Sequence, residues 1–393
     1  MKRTRLRLDM MIIHVNECYH PVLGGLEKVV QKIAEHQAKL GYEVHVITSR
    51  YGAESECVEE ELNDVHVHRV KAWKLYYQDL MIPREFCEGL LREADVVHVH
   101  SQNSLFNVIL GKKAKKMFKP VVINFLALDY VKLHTNRLIR FFGGLYQEWI
   151  QREAVGIVDK AIAINERDHR ILKEKYNVES EIVPHGIDEK YLTRPKDERT
   201  FREKYEVYEE NIIAYIGRIH PSKGLDVLVK ALPLIARKAG NFTVVIAGGG
   251  SEAYRRSLLK LSEKLRVEHR VRILGYISED EKISLLDASK IFVLPTRHFG
   301  EAYPLVVDEA YARGVPLVVT DAGALPYRVK HLETGMIAKM NNPESLAEAV
   351  IALLTNDDLY SKIREKVKKV KILTWRQVCE RISKIYEDIH DVN

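Results

Sequence analysis

The chain reads as two α/β domains of similar size, each a parallel β-sheet covered by helices on both faces. Apolar runs of strand length alternate with amphipathic runs of helix length from end to end, the pattern of parallel sheets whose strands need helical crossovers. The alternation restarts after a charged stretch around Pro195, and 393 residues are more than one hydrophobic core accommodates. The expected partition is an N-terminal domain at 1–190, a second domain at 191–374 and a closing helix at 375–393. A hinge near Pro195 and a cleft between the two sheets complete the expectation.

Strands are expected at 11–15, 43–48, 65–70, 95–99, 121–124, 160–164 and 181–183, then at 212–216, 243–247, 271–274, 291–294 and 316–319. A helix at 26–40 follows Gly24-Gly25, and another at 225–232 follows the basic loop Gly217-Arg218-Ile-His-Pro-Ser-Lys223-Gly224. Pro304 has the residue type preferred at a helix start, and 305–313 continues at helical spacing. The chain closes with helices at 343–355, 357–373 and 375–390. His98 and His100 alternate along a strand and so point the same way. Such a pair suits a metal only with a third ligand, and none stands at a suitable spacing; His66 and His68 repeat the pattern.

Composition narrows the class. The chain is 46% hydrophobic and 30% charged, as in a globular protein, and has no apolar run of about 18 residues that would span a membrane. The basic N-terminus lacks an apolar core and a small-residue cleavage site, and is read as a tail rather than a signal. Cys18, Cys57, Cys87 and Cys379 are scattered, which points to a reducing, cytoplasmic setting and away from structural zinc. A net charge of +6 is mild; it suits nucleotides or lipid headgroups and does not indicate nucleic acid.

The chemistry concentrates in two segments. Arg218 and Lys223 stand where the strand at 212–216 ends, the place where open α/β sheets bind ligands. Glu301-Ala-Tyr303-Pro304-Leu305-Val-Val-Asp-Glu309 puts one carboxylate in the turn before a helix and another one turn inside it. The cations and the helix N-terminus suit a diphosphate. The two carboxylates suit hydroxyl groups of a ribose and a sugar ring. Gly24 and Gly25, after the first strand, allow close backbone approach to a phosphate, although Gly-Gly before a helix is also a plain turn. Gly248-Gly249-Gly250 lacks the dinucleotide spacing, and no acidic residue ends a following strand as NAD binding needs.

The basic loop, the paired glutamates with Ala310-Tyr-Ala-Arg-Gly314-Val-Pro316, Gly24-Gly25 and the turn Pro184-His185-Gly186-Ile187-Asp188 resemble family-four retaining glycosyltransferases of the GT-B fold. The resemblance runs from about Met11 to the C-terminus. It implies two Rossmann-like domains facing each other across a cleft, the first binding an acceptor and the second a nucleoside diphosphate sugar. It implies that Arg218, Lys223 and Glu301 are catalytic, that Gly217, Gly249 and Tyr276 line the nucleotide site with Tyr303, Pro304 and Leu305, and that Glu309 holds ribose. His100, Leu126, Asp129 and His185 fall on the sugar or acceptor side. No cofactor or metal is implied beyond the sugar nucleotide as co-substrate, and the last helix is implied to cross back to the first domain.

Departures from that pattern bear on the donor sugar. Leu126 lies in the segment where the family usually has a histidine, Pro304 replaces a common glycine, and Tyr327 stands where glutamate is frequent. The expected activity is transfer of a sugar, with retention, to a hydroxyl of a saccharide, small molecule or lipid-linked glycan. A sugar-nucleotide epimerase, a glycoside phosphorylase and a silent binding module stay open. Lys112, Lys113, Lys115, Lys116 and Lys119 on one helix offer peripheral contact with an anionic membrane at its inner face, or a solvated helix end. Trp73, Tyr76, Tyr77, Phe141, Phe142, Tyr146 and Trp149 read as an acceptor groove or as core.

Overall fold

The computed structural model describes residues 10–22, 24–75 and 80–390 and divides into two compact units. Tyr76, Tyr77 and nearly all of the basic tail lie outside the described residues. The first unit runs to Gly186 and resumes at Leu373, and the second is Ile187–Ile372. The boundary therefore precedes the charged stretch around Pro195 instead of falling within it. Burial explains the shift, because Ile187, Tyr191 and Phe201 belong to the second unit's core. Arg313 then fastens the charged stretch to that unit. It donates to the carbonyls of Tyr191 and Arg194 at 2.9 Å each and pairs with Asp287 at 2.7 Å.

The first unit holds β1 (Met11–Val15), β2 (Glu43–Ser49), β3 (Glu59–Leu62), β4 (Val65–Val70), β5 (Ala72–Lys74), β6 (Met81–Pro83), β7 (Val96–Val99), β8 (Val121–Phe125), β9 (Lys160–Ala163) and β10 (Ser180–Ile182). Eight of these strands form one sheet in the order β10-β9-β8-β7-β1-β2-β4-β3, parallel except at β3–β4, while β5 and β6 pair apart from it. The sequence signals no strand at β3, whose Glu59-Glu-Glu-Leu62 has poor β-propensity. β5 and β6, at three residues each, are too short to show a period.

Helix Trp375–His390 belongs to this unit. Its Cys379 Sγ donates to the Ile33 carbonyl at 3.5 Å. The chain approaches it so closely at Gly186 that a Cβ there would lie 2.6 Å from Trp375 N. That close approach accounts for the glycine of the Pro184-His185-Gly186 turn.

The second unit is a six-stranded, wholly parallel sheet of β11 (Asn211–Ile216), β12 (Phe242–Ala247), β13 (Val271–Gly275), β14 (Ser289–Leu294), β15 (Leu317–Thr320) and β16 (Gly335–Ala338). Its order is β13-β12-β11-β14-β15-β16, so the winding reverses between β11 and β14. Open α/β sheets bind their ligands at such a reversal, outside the carboxyl ends of the strands. Local signals agree with the elements: Ser278 and Glu281 form a capping box at the start of Glu279–Ala288, and Asn342 caps Pro343–Thr355. Among the described residues no helix is long and apolar enough to cross a membrane.

Candidate active site

The loops leaving β11 and β14 are bonded together at the reversal point. Arg297 N donates to Ser222 O at 2.8 Å, and Thr296 Oγ1 lies 3.2 Å from the same carbonyl. Gly224 makes this possible. It sits at φ +67°, and a Cβ there would lie 2.0 Å from the Pro295 carbonyl oxygen. Gly224→Ala should therefore destabilise the fold by on the order of 2–4 kcal/mol and displace the neighbouring Lys223. Gly240→Ala, at φ +65° with nothing within 4 Å, isolates the backbone term and should cost about 1 kcal/mol. Thermal denaturation of the two variants side by side checks this, and equal losses would refute the close approach.

Lys223 ends a short 3₁₀ turn, Pro221–Lys223, and its Nζ lies 2.5 Å from Glu301 Oε2. Thr296 Oγ1 donates to the same carboxylate oxygen at 3.1 Å. Burial pushes the Glu301 carboxyl up, but the Lys223 ammonium, with His298 and Thr296, outweighs it and holds the group below its usual range. His298 is held down chiefly by burial; Glu301 opposes that, while Lys223, Arg218 and His220 reinforce it. Glu301, Lys223, His298, Arg218 and His220 thus interact as one cluster around the two ion-paired side chains. Sequence reading missed His298, for which the only signal is its place three residues before Glu301.

Arg218 is exposed, with its carbonyl fixed by the Tyr215 hydroxyl at 2.8 Å. Beside it the chain is laced to the glycine-rich turn. Gly217 N donates to Ala247 O at 3.0 Å, Ile219 N to Gly249 O at 2.7 Å and Ser251 N to Ile219 O at 2.9 Å. A Cβ at Gly248 would lie 2.0 Å from Gly217 O and one at Gly250 2.4 Å from Ile219 O, whereas Gly249 has open space around it. A cavity of about 260 Å³ opens there, lined by Ile219, Gly249, Ser251, Arg255, Leu274 and Gly275 among others. Tyr276 follows it and is exposed.

Helix Leu305–Ala312 starts after Pro304, so Glu301 precedes it and Glu309 lies one turn inside. Glu309 is buried and pairs with Lys282 Nζ at 2.5 Å, a partner that nothing in the sequence singles out. Tyr303 is positional: its hydroxyl donates to the buried Asp308 at 2.5 Å, and the Arg328 guanidinium lies 4.2 Å from its ring centre.

Gly24, Gly25, His100, Leu126, Asp129 and His185 belong to the first unit. Gly24 caps helix Gly25–Lys39, and the Glu27 carboxylate folds over it, 2.0 Å from where a Cβ would stand. An anion at that helix start would have to displace Glu27. The backbone at Leu126 is clamped by Gln102, which accepts from its N–H at 3.0 Å and donates to its carbonyl at 2.8 Å. The next two amides, of Ala127 and Leu128, donate to the buried Asp168 at 3.0 Å. Asp129 is ion-paired, with Lys175 Nζ at 2.8 and 3.0 Å from its two oxygens. His185 is buried beside Trp375, their ring centres 6.4 Å apart.

His100 is not a lone partner of His98. His14, on the neighbouring β1, is the third imidazole that sequence spacing did not reveal, and the three offer donor atoms within 4.8 Å of one another. Hydrogen bonding assigns them as neutral and closes a circle of six groups. The Tyr386 hydroxyl donates to His98 Nδ1 (2.6 Å), His98 Nε2 to Asn124 Oδ1 (3.0 Å) and Asn124 Nδ2 to His100 Nδ1 (3.3 Å). His100 Nε2 donates to His14 Nδ1 (2.7 Å), His14 Nε2 to Gln37 Oε1 (2.7 Å) and Gln37 Nε2 to the Tyr386 oxygen (3.4 Å). Every ring nitrogen is used, and the circle joins β1, β7 and β8 to the last helix. The lysine helix is also partly neutralised: Lys112 pairs with Glu153, Lys115 with Asp159, and Lys113 with Glu88 at 2.6 Å.

Two parallel-sheet α/β units, the second with a cation and carboxylate cluster at its winding reversal, define a GT-B glycosyltransferase architecture. Sucrose-phosphate synthase from Thermosynechococcus elongatus superimposes with a TM-score of 0.77 at 19% identity, covering 98% of this chain and 100% of that one. Anabaena Alr3699/HepE in complex with UDP-glucose gives 0.74 at 17% identity, covering 96% and 100%. The chain belongs to the group 1 glycosyl transferases: the family description "Glycosyl transferases group 1" matches residues 197–370 and "Glycosyltransferase Family 4" matches 23–191. N-acetyl-alpha-D-glucosaminyl L-malate synthase of Bacillus anthracis is 27% identical over 95% of both chains. D-inositol 3-phosphate glycosyltransferase of Corynebacterium glutamicum (strain R) is 28% identical over 59% of this chain and 58% of its own length. The protein is a glycosyltransferase.

Proposed function

We propose that the chain transfers a glycosyl group from a nucleoside diphosphate sugar to an acceptor hydroxyl, with retention at the anomeric carbon and without a metal ion. The observation that carries this reading is the Lys223–Glu301 pair beside Arg218, at the carboxyl ends of β11 and β14 and next to the Gly249 cavity. The cavity suits the base, Arg218 and Lys223 with the N-terminus of Leu305–Ala312 suit the diphosphate, and Glu301 suits the sugar hydroxyls. The bond from the anomeric carbon to the leaving phosphate oxygen breaks while the acceptor oxygen bonds the same face. The acceptor's proton passes to the departing diphosphate. Arg218 and Lys223 lower the barrier by stabilising the charge that grows on that leaving group.

Glu309 takes the ribose diol in this reading, with Lys282 orienting its carboxylate. Glu309→Ala should then weaken binding of the nucleoside diphosphate itself, whereas Glu301→Ala should spare it and weaken only the full sugar nucleotide. Calorimetric titration of both ligands against both variants tests this division, and equal losses throughout would dismiss it. The activity itself is tested by a thermal-shift panel of sugar nucleotides. A true donor at about 100 times its dissociation constant adds ~2.7 kcal/mol of stability. Product analysis then separates a retained glycoside from an epimerised sugar nucleotide or a sugar phosphate, and turnover should persist in chelator.

A further inference from the structure

Helix Gly144–Val155 in the first unit carries apolar residues on two sides. It buries Ile150 and Ala154 together with Gln147 and Gln151, while Leu145 and Trp149 stand in solvent. Gln147 is held inside by Val131 N, Asn103 Oδ1 and Ala127 O at 3.0, 3.3 and 3.4 Å, and Gln151 accepts from the Tyr176 hydroxyl at 2.8 Å. A helix that meets only water on its outer side keeps leucine and tryptophan off that side. The apolar row continues through the π-helical turn Ile139–Gly143, where Phe141 and Phe142 are 61% and 65% exposed, to Leu138 at 69%. Leu138, Phe142, Leu145 and Trp149 recur at intervals of three and four, so they share a face. Phe141, Phe142 and Trp149 are thus neither core nor solitary surface residues.

Charge says what covers this face. Between Tyr130 and Gln147 there is no Asp or Glu, while Lys132, Arg137 and Arg140 are all present. Among the described residues, ion pairs of the region run from Lys132, Arg152 and Lys175 to Asp129 and Glu148 and leave out the exposed Arg137 and Arg140. A cavity of about 530 Å³ brings Lys132, Arg137 and Arg140 together with Phe141, Leu145 and one carboxylate, Glu148, which Lys132, Arg152 and Lys175 already hold. Aromatic rings enter the acyl boundary of a bilayer, guanidinium groups reach lipid phosphates, and a tryptophan settles at headgroup depth. A second copy fits poorly, because in a two-fold interface the patch offers its own copy one carboxylate, Glu148, already held by Lys132, Arg152 and Lys175, and so no new partner for Arg137 and Arg140. We propose that residues 138–149, with Arg137, form a membrane-contact face that seats the first unit on an anionic lipid bilayer. This surface is separate from the lysines at 112–119, three of which are already paired.

Flotation of the full chain with phosphatidylcholine vesicles, with and without phosphatidylglycerol, tests the proposal independently of any sugar donor. Binding is expected only with phosphatidylglycerol, weakened by salt. It should fall at least about tenfold in Phe141→Ser/Phe142→Ser and in Arg137→Gln/Arg140→Gln, and stay unchanged in Lys116→Gln/Lys119→Gln. A blue shift of emission on binding should vanish in Trp149→Phe. All these side chains are exposed or half-buried, so each variant should melt like the parent. Failure to bind anionic vesicles, or weakening by the lysine variant with normal binding by the aromatic one, would overturn the assignment. So would dissociation of a dimer by the aromatic variant, which marks a second copy, or lost turnover on water-soluble substrates with intact vesicle binding, which marks an acceptor groove.

Discussion

Lys223→Ala should lower kcat by about 100-fold or more and leave the Michaelis constant for the donor within a few-fold, as for any group that acts on charge developing in the transition state. The same variant strands a carboxylate. Glu301 is buried, and Lys223 Nζ at 2.5 Å is its cationic partner. Breaking such a pair from one side costs about 3–5 kcal/mol, because the remaining charge stays out of water. Adding Glu301→Gln to Lys223→Ala should restore most of the stability and none of the turnover, which separates the structural effect from the chemical one. A change confined to the Michaelis constant would remove Lys223 from the chemical step.

Mild acid should unfold the first unit before the second. Burial drives His14 down to about 3, with His98 adding to the effect, and drives His98 down to about 4. His100 is lowered in the same direction by burial and by its neighbours His98, His14 and His185. The ordinary value of about 6.5 returns on unfolding, so between about pH 6.5 and 4 the unfolded chain binds more protons than the folded one. Stability is then fully present above about pH 6.5 and is lost as pH falls. At about pH 5, His14 and His98 together account for a loss of about 4 kcal/mol. Hydrogen exchange of β1 and β7 at about pH 7.5 and pH 5 measures it. His98→Gln, which keeps a hydrogen-bonding side chain without the titrating ring, should flatten the dependence. A slope unchanged in that variant would assign acid sensitivity elsewhere.

Which residues were legible in the sequence follows from the range of the forces that place them. Apolar period and turn chemistry locate twelve strands to within a residue or two, since each depends on neighbours along the chain. The strands missed are the ones whose own residues carry little signal: acidic β3, three-residue β5 and β6, and β16, a short edge strand beginning at Gly335. The basic loop and the paired glutamates could be found because each is contiguous and lies beside a helix start or a strand end. Lys282, His298 and Asp168 could not, because each acquires its role from a partner on another element. His14 is the clearest instance: a single histidine in an apolar strand means little until the β1–β7 register sets it opposite His98.

By itself the sequence determined the α/β class, the order of most strands and helices, and the two contiguous segments, the basic loop and the paired glutamates, that the second unit's sheet brings together. Periodicity and local conformational preference act over a few residues and are written in the chain. Only the tertiary structure decided that Ile187 and Tyr191 join the second core, that Lys223 and Glu301 touch, that Asp129 pairs with Lys175, and that helix Gly144–Val155 buries glutamines and exposes leucine and tryptophan. Those outcomes depend on which elements pack together, and burial and ion pairing are properties of the packed neighbourhood, whose members lie far apart along the chain.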